Sequence, residues 1–315
     1  MKGREMSYNS QKIEKNTKKR YEEAVESFVT RIKEDRNVIA VILSGSLAYD
    51  EVWGRSDIDV FVITTDEKTP SRHILLSENE VIFEVSLYSR DHFKKDAEGG
   101  LQGTALQHAL STSQVVFTRD ETIREYIEGA RVVGERDKEL QLMGCYSRAI
   151  YFIEKATKML YVKKDILSSF YYIPQLVLHL ARMEVLMTGA IPQREVIKQA
   201  IDLNPEFFNA VYTNLLQISI DYEVLHRTLV SIEQYMEDRL EVVFKPVLDY
   251  LARAGEVRGE SELNEYFGKK NIEWINYHYL AEKGIVLCTT TPIRLTSKSR
   301  SMMYEPAYYY EENQS

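Results

Sequence analysis

Residues 44–64 read SGSLAYDEVWGRSDIDVFVIT. Gly45 and Ser46 stand together, ten residues follow, and then come Asp57 and Asp59 with one residue between them. The apolar run after Asp59 reads as a buried strand over 57–64. Along a strand, residues i and i+2 point to the same side, roughly 6–7 Å apart. Two like charges side by side at the mouth of an apolar strand are costly unless a cation lies between them. Divalent ions supply that cation, and magnesium favours carboxylate oxygen over imidazole or thiolate.

The flanking sequence supports a sheet. VIAVIL (38–43) is a continuous apolar run, as for a strand covered on both faces. EVIFEVSLYS (80–89) alternates, with Val81, Phe83, Val85 and Leu87 on one face and Ile82, Glu84, Ser86 and Tyr88 on the other. SQVVFT (113–118) is a further short strand, and Asp120 is positioned to cap a helix over 121–130. Helical periodicity covers 10–36, through Tyr21, Ala24, Phe28 and Ile32. Ser46 is expected to cap a short helix over 47–52 whose free N–H groups face an anion, with Gly45 allowing close backbone approach. Past Glu80 at its start, Glu84 is the lone acid among the apolar and hydroxyl-bearing residues of that strand. It completes an acidic site if that strand lies beside the one bearing Asp57 and Asp59.

Gly-Ser, ten residues and Asp-Ile-Asp, followed by an acid on a later strand, resemble the signature of the DNA polymerase β-like nucleotidyltransferase superfamily. The chain is most similar within it to bacterial aminoglycoside- and lincosamide-type enzymes and to minimal nucleotidyltransferases. The resemblance implies two Mg2+ ions, a nucleoside triphosphate donor with ATP expected, and transfer of a nucleoside monophosphate to a hydroxyl with release of pyrophosphate. It assigns Asp57 and Asp59 as metal ligands, Glu84 as third ligand or as base, and Gly45 and Ser46 as contacts to the donor's phosphates.

The expected fold is α+β in three parts. A nucleotidyltransferase domain with a mixed sheet spans 1–133, an all-α bundle 137–243, and a winged-helix-like region 244–315. Helices are expected at 139–162, 168–186, 194–200, 205–219 and 222–243. Three shorter ones follow, and then a hairpin turning at Thr291-Pro292. Arg148, Lys155, Lys158, Arg182 and Glu184 are charges in helical runs, more often solvated or paired than ligand-binding. His179 reads as a satisfied core histidine. Tyr171-Tyr172 and Tyr308–Tyr310 read as packing or tail residues. Arg294, Lys298 and Arg300 lie in the expected wing.

Bulk properties narrow the function. The 315 residues carry a formal charge of −8, which is not the footprint of a general nucleic-acid binder. Two cysteines in no paired motif exclude a disulfide framework or structural zinc. The polar N-terminus and the lack of a long apolar run lead us to expect a cytoplasmic chain with no membrane partner. The expected partner is a small, antibiotic-like hydroxyl acceptor, with the bundle as the acceptor side of the cleft. Nucleic acid is expected at most through 244–315, where domain packing, gating or homodimer formation fits better. Two other readings remain: an antitoxin-type enzyme that modifies protein, and a nucleotide-sensing DNA-binding regulator.

Overall fold

The computed structural model describes residues 2–49, 56–65, 72–99, 109–131, 134–268, 275–296, 298 and 300–311. The chain divides into two compact units, 1–133 and 134–315.

The first unit is a five-stranded mixed sheet with helices on both faces. Helix α1 (Lys2–Ile32) leads into β1 (Val38–Ser44), which is buried throughout as its unbroken apolar run requires. Strands β2 (Ile58–Thr64), β3 (Arg72–Glu78), β4 (Val81–Ser89) and β5 (Gln114–Thr118) complete the sheet in the order β3-β4-β2-β1-β5. Strands β2 and β4 are parallel, and the other pairs are antiparallel.

The strand β3 was not anticipated. RHILLSE has no clean alternation, and its turn into β4 is Asn79-Glu80, both at positive φ (51° and 60°). That is hairpin backbone without the glycine that would have announced it.

The period of two divides the sheet's side chains between two cores. Val60, Val62, Phe83 and Val85 pack under α1 against Tyr21, Ala24 and Phe28, and the Phe28 and Phe83 rings stack 4.5 Å apart. Each such buried side chain contributes about 1.5–3 kcal/mol. On the other face, Ile42, Phe61 and Ile63 meet Phe93 of α2 (Arg90–Gly99) and Ile123 and Ile127 of helix Thr122–Ala130. Asp120 accepts from the Thr122 amide at 3.1 Å and pairs with Arg90, but the N-cap of that helix is Glu121, one residue later than expected. These bonds keep the Asp120 carboxyl below its usual range, the Thr122 hydroxyl being the largest cause.

The second unit is helical through Ala254. Helices Glu135–Thr157 and Ile166–Met187 form its spine, with Val196–Leu203, Pro205–Phe208, Tyr222–Glu237 and Leu240–Ala254 around them. A helix was anticipated over 222–243. It breaks instead at Asp238-Arg239, where Arg239 lies over the Tyr235 ring at 3.7 Å. The next helix runs through Pro246 to Gly255, whose φ of 62° ends it in the left-handed region.

A two-residue strand β6 (Arg258–Gly259), helices Glu260–Gly268 and Tyr277–Glu282, and the hairpin β7 (Leu287–Ile293) and β8 (Met303–Tyr309) follow. The three strands pair in the order β6-β8-β7. Pro292 lies inside β7, opposite Tyr304, so the hairpin turns after Ile293 and not at Thr291-Pro292. Proline is tolerated there because β7 is an edge strand. Phe267, Tyr277 and Tyr308 share one core with the helices from Leu140 onward, and 244 falls inside helix Leu240–Ala254.

Candidate active site

The three predicted carboxylates converge. Asp59 of β2 is the register partner of Glu84 of β4, and Asp57 stands just before β2. One oxygen from each lies within 4.8 Å of the others. The parallel pairing of β2 with β4 closes this set, because register partners on neighbouring strands share a face. Burial differs along the trio: Asp57 is exposed and Asp59 half-buried.

Gly45 is buried against this cluster. Its φ is +72°, and a Cβ on it would lie 2.1 Å from Oδ2 of Asp59. Only glycine permits both the left-handed backbone and the approach. Ser44 of β1 is the register partner of Asp59, so the Gly45 turn begins beside the acids. The anticipated helix after it is a single 3-10 turn, Ser46–Tyr49, with the Ala48 amide bonded to the Gly45 carbonyl at 3.0 Å. Residues 50–52 of that expectation, and the Ser46 side chain, lie outside the described residues. A four-residue turn has little macrodipole, so phosphate contact here would rest on backbone amides of the turn rather than on a helix terminus.

Sequence reasoning missed Tyr21 as part of the site. Its ring is in the α1 core, and its hydroxyl donates to the Ser56 carbonyl at 2.6 Å, one residue before Asp57. The helical period marked Tyr21 as core, and nothing local signalled its polar end. Glu78 was missed too. Ser27 and Arg31 of α1 both donate to its carboxylate at 2.6 Å, which anchors β3 beside β4.

The donor set is all carboxylate oxygen on adjacent strands, with a close backbone turn beside it. That chemistry suits hard divalent cations and phosphate. Residues 26–122 match the family described as polymerase beta, nucleotidyltransferase. This stretch is a polymerase β-like nucleotidyltransferase domain. Its sheet and the helices after it are similar to a crystal structure of a nucleotidyltransferase-like protein from Exiguobacterium sibiricum 255-15. That likeness has a TM-score of 0.66 at 16% identity, covering 92% of this chain and 99% of that one. No curated protein matches the chain significantly.

Other sequence candidates belong to the second unit. Glu184 is held within the helical unit by Asn204 Nδ2 at 3.2 Å and by the Tyr235 hydroxyl, with Arg239 at 3.8 Å. Lys155 lies over the Tyr151 ring. His179 is a core residue stacked on Phe152, but its Nδ1 is buried with no hydrogen-bond partner among the described residues. Tyr308 is buried, and its hydroxyl donates to Glu260 at 3.0 Å. On helix Tyr277–Glu282 the exposed side chains are His278 and Glu282, and Arg294, Lys298 and Arg300 are exposed after β7. Among the described residues no helix is long and apolar enough to cross a membrane.

Proposed function

We propose that the chain transfers a nucleoside monophosphate, AMP from ATP, to a hydroxyl of a small-molecule acceptor and releases pyrophosphate. The convergence of Asp57, Asp59 and Glu84 beside the Gly45 turn carries this reading. Asp57 and Asp59, with Glu84 beside them, are the residues that would hold magnesium. When bound, magnesium would neutralise charge on the phosphates and polarise the phosphorus–oxygen bond.

The protein's own groups have three tasks. The Gly45 turn brings backbone close to Asp59 and leaves room for a phosphate tail where any side chain would intrude. Tyr21 fixes the entry to β2 and so the placement of Asp57. Glu84 is the carboxylate on the side away from Gly45 and is the group placed to accept a proton from an incoming hydroxyl. The acceptor oxygen bonds to the α-phosphorus, the bond from that phosphorus to the bridging oxygen breaks, and the electron pair leaves with pyrophosphate.

Purified protein with ATP and Mg2+ should release pyrophosphate and transfer labelled AMP to an acceptor or to water. Asp57→Asn and Asp59→Asn should each abolish the transfer. Turnover retained in both variants would sink the assignment. A complete acidic trio favours an enzyme over a nucleotide sensor, which has no need of a full catalytic set.

A further inference from the structure

We propose that the open face of β3 and β4 seats the acceptor, and that the acceptor is a small molecule presenting its hydroxyl beside an apolar surface. This rests on the nucleotidyl-transfer reading above and adds the acceptor's place and chemistry.

The register defines a row across the sheet. Ser44 of β1 pairs with Asp59 of β2, Asp59 with Glu84 of β4, and Glu84 with Leu75 of β3. Strands are spaced about 4.8 Å apart, so Leu75 stands one strand beyond Glu84, on the side away from Gly45. Displacement at phosphorus runs in line, with the attacking and leaving oxygens on opposite sides. A triphosphate tail held at the Gly45 turn leaves toward β1. The hydroxyl therefore arrives from the side of β4 and β3.

That side is bare where an acceptor needs it. Leu75 is 69% exposed and Ile82 46% exposed, both on the face that bears Glu84. On β3 the exposure reaches the opposite face at Leu76, 41% exposed, but is greatest at Leu75. On the opposite face of the same strands, Ile74, Phe83 and Val85 are packed under α1. Further along the acidic face, Tyr88 is covered by Phe61 and Phe93. A lone exposed leucine needs no explanation. Two apolar side chains flanking an active-site carboxylate, with a polar pair beside them, form a built surface. The polar pair is His73 and Ser86, whose Nδ1 and Oγ lie 3.0 Å apart. This bond orients the ring and leaves Nε2 without a partner among the described residues, able to bond a second acceptor hydroxyl.

Geometry separates a small molecule from a protein strand. A peptide added to the edge of β3 would lie two strand spacings, about 10 Å, from Glu84. Its serine or threonine hydroxyl would fall short of the carboxylates. A small molecule lying on the face reaches them.

The experiment uses the full chain with Mg2+ and ATP labelled at the α-phosphate. Glycerol, cyclohexanol and trans-1,2-cyclohexanediol serve as minimal acceptors at equal concentration. Cyclohexanol should take label about tenfold better than glycerol, as burial of a few methylenes predicts, and the diol better still. Leu75→Ser with Ile82→Ser should collapse the cyclohexanol-to-glycerol ratio, and His73→Ala the diol-to-cyclohexanol ratio. Binding is read separately, from methyl NMR with α,β-methylene ATP and Mg2+, where cyclohexanol should shift the Leu75 and Ile82 methyls. Transfer with no apolar preference, or a preference that survives in the double variant, overturns the acceptor seat and leaves nucleotidyl transfer standing. Label on proteins of a cell extract and on none of the alcohols also overturns it. No transfer even to water defeats the transferase reading itself. The methyl titration then decides the seat alone, and unmoved Leu75 and Ile82 signals count against it.

Discussion

The Tyr21 hydroxyl donates to the Ser56 carbonyl at 2.6 Å, so a residue of the first helix holds the backbone next to Asp57. Tyr21→Phe keeps the ring in its core and removes this tie. The expected stability loss is about 1 kcal/mol, read from a urea midpoint. Asp57 should then be less well placed, so half-saturation by Mg2+ in a nucleotide-binding titration should rise several-fold. An unchanged Mg2+ requirement would reduce Tyr21 to a packing residue.

Gly45 touches Asp59 where any side chain would collide with it. Gly45→Ala combines that collision with a left-handed φ of +72°. Backbone strain of this kind costs of order 1–3 kcal/mol. The variant should fold with a lowered melting temperature and lose Mg2+-dependent nucleotide binding. Gly255→Ala, also at positive φ but with nothing within 4 Å of its Cβ, serves as control. It should share the loss of stability and keep the binding.

The three carboxylates repel one another when no cation is present, because one oxygen of each lies within 4.8 Å of the others. Removing one charge, as in Asp59→Asn or Glu84→Gln, should leave the metal-free melting temperature unchanged or raise it. The same variants should lose most of the stabilisation that Mg2+ confers on wild type, which follows mass action. A calorimetric scan with and without Mg2+ distinguishes the two effects. A metal-free protein weakened by the substitution would argue that the acids are structural.

His179 makes the helical unit sensitive to acid. Burial, then the charges of Arg182 and Arg148, push it down from 6.5 to about 4. The unfolded chain therefore binds a proton that the folded chain refuses between those values. Stability from the neutral ring is complete above about pH 6.5 and is lost as pH falls toward 4. A shift of this size corresponds to about 3 kcal/mol at most. His179→Leu should flatten the stability profile between pH 7 and pH 4.5 in urea titrations. A parallel profile for variant and wild type would remove His179 as the cause.

Local features of the chain were legible without coordinates. β1 and β4 follow from one unbroken apolar run and one alternating run. The shared face of Asp57 and Asp59 follows from the period of two. Gly45 stood out because a tight turn after a buried strand needs it. β3 was hidden because its hairpin turn is Asn79-Glu80, and because Leu75 and Leu76 are both partly exposed, which erases alternation. The break at Arg239 was hidden because the apolar period continues through it. What stops the helix there accompanies a long-range contact of Arg239 to Glu184.

The amino-acid sequence by itself determined the pair of aspartates, the glycine turn before them and the strand they open, since each depends on residues a few positions apart. Tertiary structure decided the neighbours. It placed β4 beside β2, which brings Glu84 to Asp59. It put β3 outside β4, which sets Leu75 and His73 beside the acids, and it carried the Tyr21 hydroxyl across 35 positions to Ser56. Strand order and helix docking are set by burial summed over the whole sheet, and no short stretch of the chain contains that sum.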